Sequence, residues 1–460
     1  MSAGVEEKTE VDVVVVGLGP GGEALAAGLA REGLAVVAVD ERLVGGECPY
    51  FGCVPSKMMI RGADLLAEGR RIPGMAGSSV IEADWTPVAK RIAEEATDNW
   101  NDQVAVDRLV DAGVEFVRGH ARLAGERTVE VGGRLFTARR GVVLNTGTAP
   151  GVPPIDGLAD APYWTNRDAV QLTNLPASLI VIGGGAIGCE LSQAFSRFGV
   201  SVTVLEGADR ILALEEPEAS RVVSEAFGRD GIQVLEGVSI TSVEYADGRF
   251  AVRLGDGAEV AADKLLVAAG RSPNLSDIGL ESVGLDPTAR TIDTDDQMRA
   301  ADGLWVIGDI TGKGAFTHMS MYQSAIATAS ILGREGGPRA EYHAVPRVTF
   351  TDPEVGAVGM TEKQARDNGL DVRTGFVDIA TSTRGWIHKV GNEGFIKLVE
   401  DASRGVLVGA TSAGPNGGEI LAGLAVAVHA GVPTDRLRAM IYAYPTLHRA
   451  IETALSDLAA

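Results

Sequence analysis

Val11-Asp12-Val13-Val14-Val15-Val16 runs into Gly17-Leu18-Gly19-Pro20-Gly21-Gly22 and then into the Ala-rich stretch Glu23 to Arg31. A β-branched run, a glycine turn and a helix-forming segment, in that order, predict a buried strand that turns directly into a helix. A second apolar run, Leu34 to Val39, ends in Asp40 and completes a βαβ unit, with its acid about 20 positions beyond the glycines. The start of the helix would offer unpaired N–H groups and a positive dipole end to a pyrophosphate, while the acid would meet a ribose hydroxyl. The same order recurs: a strand Ser178 to Ile182, the turn Gly183-Gly184-Gly185-Ala186-Ile187-Gly188, a helix over Cys189 to Phe198, a strand Ser201 to Leu205, and Glu206 at its end. Isolated glycine turns also serve packing, but two complete units, each closed by an acid, imply two dinucleotide sites.

Two different dinucleotides in one chain suggest a relay from a soluble carrier to a tightly held one, and nicotinamide with flavin is the natural pair. The fold class is α/β, with two Rossmann-like dinucleotide-binding domains and a C-terminal α+β domain. Gly151-Val152-Pro153-Pro154-Ile155-Asp156-Gly157 marks a boundary rich in Pro and Gly, with a return crossing expected near Leu275 to Leu280. The expected domains are therefore 1–150, the first part of a flavin domain; 151–272, a nicotinamide domain; 273–340, the second part of the flavin domain; and 341–460. In the last, strands over Pro346 to Phe350 and Gly394 to Glu400 precede two Ala-rich helices.

Composition sets bounds on function. The chain has 460 residues, 45% of them hydrophobic, enough for about three domains with real cores. Its 59 glycines and 5% aromatic content suit an α/β protein with many tight turns. A formal net charge of -21 would repel nucleic-acid phosphates and anionic lipid, which argues against both as partners. No apolar run reaches the roughly 18 residues of a membrane span, and MSAGVEEKTE lacks the features of a signal peptide, so a cytoplasmic location is expected. Of the three cysteines, Cys48 and Cys53 lie five positions apart and Cys189 stands alone, which excludes a disulfide scaffold. No further Cys and no suitably spaced His joins the pair, so no metal is expected.

The pair sits in Gly45-Gly46-Glu47-Cys48-Pro49-Tyr50-Phe51-Gly52-Cys53-Val54-Pro55-Ser56-Lys57, directly after the first βαβ unit. Pro55 suits the first turn of a helix with Cys53 at its threshold, where unpaired N–H groups favour a thiolate. This segment resembles the active-site loop of the flavoprotein disulfide reductases, G-G-x-C-x-x-x-G-C-x-P-[ST]-K, at every fixed position. The resemblance implies that Cys53 is the thiol next to the flavin and that Cys48 exchanges with substrate. It further implies that Lys57 and Glu190 pair beside the flavin and that the protein is a homodimer. The resemblance extends along the chain. Thr146-Gly147-Thr148-Ala149-Pro150 and Gly270-Arg271-Ser272-Pro273-Asn274 look like family turns, and Leu304-Trp305-Val306-Ile307-Gly308-Asp309 looks like the family strand that puts Asp309 on the flavin ribityl chain. Pro346 to Glu354 and Val358 to Glu362 resemble the start of the family's dimer-interface domain, which assigns dimerisation to 341–460.

By the motifs and this resemblance, FAD would be held by Gly17, Gly19, Gly22, Asp40, Glu41, Gly46, Lys57, Thr146, Gly147, Asp309 and His318. His318 reads equally as a packed residue at a helix start. The nicotinamide cofactor would be held by Gly183, Gly185, Gly188, Glu206 and Gly270. Glu206 can accept from a 2′-hydroxyl but repels a 2′-phosphate, and Gly207-Ala208-Asp209 precede the first base, Arg210, so NADH is favoured over NADPH.

The C-terminus departs from the family. Where the reductases have H-P-T-x-x-E, a proton-shuttling His and its orienting Glu, this chain reads Tyr444-Pro445-Thr446-Leu447-His448-Arg449. Tyr444 is the candidate replacement, with Tyr442 a possible second phenol; His448 could help only if the turn is rearranged. In the loop, Pro49-Tyr50-Phe51 places aromatic bulk beside the thiols, either to stack on a flat acceptor or to pack. The expected activity is electron passage from NADH through FAD to Cys48 and Cys53, and on to a small-molecule or protein disulfide. The alternatives are direct transfer from flavin to quinones, metal ions, O₂ or a second nicotinamide nucleotide, with the cysteines as bystanders or redox sensors, and a non-catalytic flavin-binding subunit.

Overall fold

The computed structural model describes residues 8–458. The chain divides into two compact units made of interleaved segments. One comprises the described residues up to Pro55 with Arg91–Pro150 and Arg271–Glu341; the other comprises Ser56–Lys90, Gly151–Gly270 and the described residues from Tyr342 onward.

The first unit is built on an eight-stranded sheet. Its main path runs Arg299–Ala301, Leu304–Val306, Arg134–Leu144, Lys8–Val16, Val36–Asp40, Val114–Arg118, and an antiparallel arm of Ala121–Leu123 and Thr128–Val131 hangs from Arg134–Leu144. The valine run lies near the middle, paired in parallel on both sides, with Val13 opposite Val36 and Val15 opposite Val143. Successive side chains of a strand point to opposite faces, and both faces here are covered. Val13 and Val15 therefore pack with Leu25 and Leu29 of the helix Pro20–Arg31, while Val14 and Val16 pack on the other side with Phe136 and Ile310. That two-sided burial is why the run is continuously apolar rather than alternating.

The return crossing falls at Gly270, earlier than the expected Leu275 to Leu280. Leu275, Ile278 and Leu280 are 3%, 5% and 1% exposed and already belong to the core of the first unit. A two-stranded ribbon within that unit, Thr148–Pro150 against Arg271–Pro273, brings the outgoing and returning chain side by side.

The second unit holds the repeated βαβ unit as a four-stranded parallel sheet, in the order Gln233–Leu235, Ser201–Leu205, Ser178–Ile182, Lys264–Val267. Residues 56–90 group with it because the helix Cys53–Arg71 is tied to the helix Ala186–Arg197. Arg70 donates to the Arg197 carbonyl at 2.8 Å and Asp64 meets the Arg197 guanidinium at 2.7 Å. The C-terminal part is a five-stranded antiparallel sheet, Pro346–Thr349, Glu354–Gly359, Val406–Gly414, Phe395–Asp401, Val372–Asp378. Helices Gly417–His429 and Ala450–Asp457 pack against it through Leu421, Leu424, Ala454 and Leu455. Lys397 lies buried in this unit among Glu216, Glu218 and Glu362, each within 3.0 Å.

Candidate active site

In the first glycine turn the backbone leaves no room for side chains. Gly17 has φ +91°, and a Cβ there would stand 2.3 Å from the Asn145 carbonyl oxygen; a Cβ on Gly22 would stand 2.1 Å from the Gly17 oxygen. Gly19 caps the helix Pro20–Arg31 without any side-chain cap, so the first N–H groups face outward as an anion site requires. Gly46, with φ +67°, comes so near that a Cβ would lie 2.9 Å from the Gly19 Cα. The Asp40 carboxylate accepts from the backbone N–H groups of Leu18 and Arg42, each at 2.7 Å. Burial raises its pKa, and those two donors oppose the rise.

Beside the turn, the Thr146 hydroxyl is buried with no hydrogen-bond partner among the described residues, a donor left over for a bound group. Gly147 follows with φ +64° and open space around it. Asp309 accepts from the Thr148 hydroxyl at 2.6 Å, and Arg271 donates to the same hydroxyl at 2.6 Å and stands 3.7 Å from Glu47. Arg271 and Thr148 are site neighbours that the glycine motifs alone do not reveal. His318, second residue of the helix Thr317–Ile331, stacks on Phe316 with ring centres 5.1 Å apart. Glu41 is not brought to the turn: it is exposed and meets His120 at 3.0 Å, a contact that raises the imidazole pKa. The uncapped helix start, the close glycines and the orphaned Thr146 hydroxyl fit a dinucleotide.

The second turn repeats the design. Gly183 has φ +108° and its Cβ would meet the Ala268 oxygen at 2.5 Å; the Cβ of any residue at 188 would meet the Gly183 oxygen at 1.9 Å. Gly185 caps the helix Ala186–Arg197 without a side-chain cap and has nothing within 4 Å of where a Cβ would be. A cleft of about 380 Å³ opens here, lined among others by Gly183, Gly185, Glu206, Ala268 and Gly270. Glu206 accepts from Gly184 N–H at 2.6 Å and Ala208 N–H at 2.7 Å. Arg210 has its guanidinium engaged, donating to the carbonyls of Leu212, Ala213 and Glu215 and to the Ser220 hydroxyl. Cys189 is fully buried, its thiol donating to the Gly184 carbonyl at 3.2 Å, and burial pushes its pKa well up, which makes it a packing residue.

Cys48 lies on the short helix Glu47–Tyr50 and is half-buried; Cys53 opens the helix Cys53–Arg71 and is exposed. Cys53 Sγ lies 3.5 Å from the Thr317 hydroxyl, at the first residue of another helix. Tyr50, between the cysteines, is 6% exposed, so the first of the loop aromatics packs inward rather than facing an acceptor. One turn along from Cys53, Lys57 Nζ donates to Glu190 at 2.8 Å. Glu190, in the second turn of its helix, is 5% exposed and also accepts from the Phe350 N–H at 2.8 Å, while the Phe350 ring lies 4.6 Å beneath the Lys57 ammonium. Phe350 was not legible as a site residue, because its contribution is a backbone N–H and a ring face.

At the C-terminus, Tyr444 is 66% exposed, with the Arg449 guanidinium 5.5 Å over its ring. Arg449 donates to the Tyr442 carbonyl and pairs with Glu452 at 2.8 Å. His448 lies 3.4 Å from the Thr446 hydroxyl. Tyr442 is no second phenol for chemistry: it is 7% exposed, donates to the Leu437 carbonyl at 3.0 Å, and burial raises its pKa.

Among the described residues no helix is long and apolar enough to cross a membrane. Residues 11–329 match the family model for pyridine nucleotide-disulphide oxidoreductases, and residues 345–455 match the dimerisation domain of that family. The chain is 32% identical over 454 residues to a dihydrolipoyl dehydrogenase of Geobacillus stearothermophilus, covering 95% of this chain and 94% of that one. It is 31% identical over 453 residues to a mercuric reductase of Acidithiobacillus ferrooxidans, covering 97% and 82%. Among solved structures, LpdA of Mycobacterium tuberculosis aligns with a TM-score of 0.85 at 27% identity, covering 98% of this chain and 100% of that one. The HOCl-induced flavoprotein disulfide reductase RclA of Escherichia coli aligns with a TM-score of 0.84 at 26% identity, covering 97% and 99%. Family membership favours the dithiol route over direct transfer from the flavin, and the dimerisation domain supports a homodimer. The two glycine turns, the cysteine loop and these likenesses agree: the chain belongs to the pyridine nucleotide-disulphide oxidoreductase family and is an FAD-dependent, NAD(P)H-linked disulphide oxidoreductase.

Proposed function

We propose that the protein uses NADH to reduce a disulfide through Cys48 and Cys53, in the cytoplasm. The observation that carries this reading is the placement of the two cysteines, Cys53 exposed at a helix start and Cys48 on the adjoining short helix. Bound FAD supplies the two-electron carrier between nicotinamide and cysteines. The chain's own part begins with holding it: the N–H groups beyond Gly19 receive the pyrophosphate, Asp40 a ribose hydroxyl, and Thr146 and Asp309 further polar groups. The outward exchange is a thiol–disulfide reaction. The Cys48 thiolate attacks the acceptor disulfide and releases one thiol, and Cys53 then attacks the mixed disulfide and releases the second. Two cysteine thiols become one disulfide while the acceptor disulfide becomes two thiols, so electrons and protons balance. Tyr444 is the exposed polar group standing where relatives of the family carry a proton-shuttling His.

NADH is favoured over NADPH by Glu206 and by Arg210 together. The carboxylate lines the cleft, and the nearest downstream base has its guanidinium engaged by three carbonyls and a hydroxyl. The deciding test is an anaerobic NADH titration with thiol counting. Uptake of four electrons with two new thiols, reduced to two electrons in Cys48→Ser, supports the reading. An end point in the unmutated protein that brings no new thiols refutes it. A panel of low-molecular-weight and protein disulfides assayed with NADH then identifies the acceptor.

A further inference from the structure

Residues 92–102 break ordinary helix geometry between Thr86–Arg91 and Gln103–Asp111. Ile92–Ala96 is π-helical, and Asp98, Asn99 and Trp100 then take φ of 46°, 54° and 57°. Three successive left-handed residues are disfavoured for L-amino acids; Asp and Asn tolerate that region, whereas a Trp in it is an outlier. Local hydrogen bonds hold the turn closed. The Thr97 hydroxyl donates to the Ile92 carbonyl at 3.0 Å and accepts from Trp100 N–H at 3.3 Å, and Asn101 N–H reaches the Thr97 carbonyl at 3.1 Å.

What the turn delivers is two grips on one loop. The Trp100 indole N–H donates to the Tyr50 carbonyl at 3.1 Å, between Cys48 and Cys53 in sequence. Asp102 accepts from the Val44 N–H at 2.7 Å, just before Gly45 and Gly46. Both gripped residues are buried, Val44 at 0% and Tyr50 at 6% exposure. Left-handed backbone of this kind persists where surroundings over-determine it, and π turns gather at functional places.

We propose that residues 97–102 form a strap that fixes the shape of the dithiol loop, with Trp100 a positioning residue for the Cys48–Cys53 couple; this rests on the dithiol reading above. Closing the disulfide requires two sulfurs to meet, and a loop with fewer open conformations holds each thiol at higher effective concentration near the other. Loosening the loop therefore lowers the equilibrium constant for protein dithiol plus oxidised glutathione going to protein disulfide plus two reduced glutathiones.

The test uses the FAD-loaded protein, unmutated and as Trp100→Phe, which keeps a ring but loses the N–H donor. Each is equilibrated with glutathione buffers and its thiols are trapped by alkylation and counted. The expected result is a fall of about three- to tenfold in the equilibrium constant, the size one hydrogen bond of ordinary net strength produces, with flavin absorbance and melting temperature unchanged. Should Trp100→Phe not accumulate in folded form, Asp102→Ala removes the acceptor of the other grip and is read the same way. An equilibrium constant equal to that of the unmutated protein overturns the strap alone. An unmutated protein that never shows the two thiols overturns the dithiol reading, and the strap with it.

Discussion

On the NADH reading proposed above, replacing Glu206 by Ala should remove the preference for NADH over NADPH. The carboxylate lines the cleft with its two oxygens held by the N–H groups of Gly184 and Ala208, at 2.6 and 2.7 Å. Hydrogen bonds to a charged acceptor are worth about 1.5–3 kcal/mol, so losing those to a ribose hydroxyl lowers kcat/KM for NADH by roughly 10- to 100-fold. For NADPH the effect is opposite in sign. A phosphate about 5 Å from a carboxylate, at an effective dielectric constant of about 20, is opposed by roughly 3 kcal/mol per unit charge, and the substitution removes that term. The NADH-to-NADPH ratio of kcat/KM should thus fall by at least about 100-fold. The measurement is steady-state reduction of a dye acceptor with each nucleotide. Arg210→Ala is the companion, expected to leave the ratio in place because its donors already hold Leu212, Ala213 and Glu215. A ratio that stays within about twofold in Glu206→Ala, or one that moves in Arg210→Ala, refutes the reasoning.

Other expectations concern the thiols, the pH response and the buried lysine. In Cys53→Ser, dithionite titration should end at two electrons and disulfide turnover should vanish while dye reduction persists; loss of both together would point to a folding defect instead. Asp64 has its pKa raised to about 6, burial outweighing the Arg197 guanidinium beside it. Because the folded-state pKa is raised, the stabilising contribution of Asp64 is present below about pH 4 and lost as pH rises through about 6. Asp64→Asn should therefore raise the melting temperature above pH 6, by the equivalent of about 1 kcal/mol after screening at a side chain 38% exposed, with little effect at pH 4. A gain of the same size at both pH values would contradict this. Lys397→Met should cost about 3–5 kcal/mol in chemical unfolding, since the substitution leaves the Glu216 carboxylate, 3% exposed, buried without its cation. A stability change below about 1 kcal/mol would show that the cluster is more solvated than its exposure indicates.

The dinucleotide turns were legible because their chemistry is local: Gly17, Gly22 and Gly188 stand where a Cβ would strike a backbone oxygen, and no other residue fits. The cysteine loop was legible for a similar reason, since its spacing fixes which residues share one short stretch. Legibility ended where roles depend on tertiary placement. Glu41 follows Asp40 directly, yet faces His120 on the surface. Tyr442 and Tyr444 look alike two positions apart, but one is buried against Leu437 and the other is exposed. Residues 56–90 read as a continuation of the first domain, and only the pairing of Asp64 and Arg70 with Arg197 assigns them elsewhere. The left-handed Asp98-Asn99-Trp100 carries no glycine to announce it.

The order of strands in the first sheet bears on how the protein emerges from a ribosome. Residues 142–144 of the strand Arg134–Leu144 lie between Lys8–Val16 and Leu304–Val306, so one edge of that stretch has no neighbour until residues 304–306 have been synthesised, whereas residues 134–137 are already paired with Thr128–Val131. The exposed edge includes Val142, Val143 and Leu144, all 0–1% exposed in the finished protein. During translation of everything from residue 145 to 303, a nascent chain would present an apolar, hydrogen-bond-hungry border of the kind that recruits holdase chaperones or pairs with a neighbouring nascent chain. Synthesis pauses before residues 304–306 have left the ribosome would lengthen that exposure, and later pauses would not.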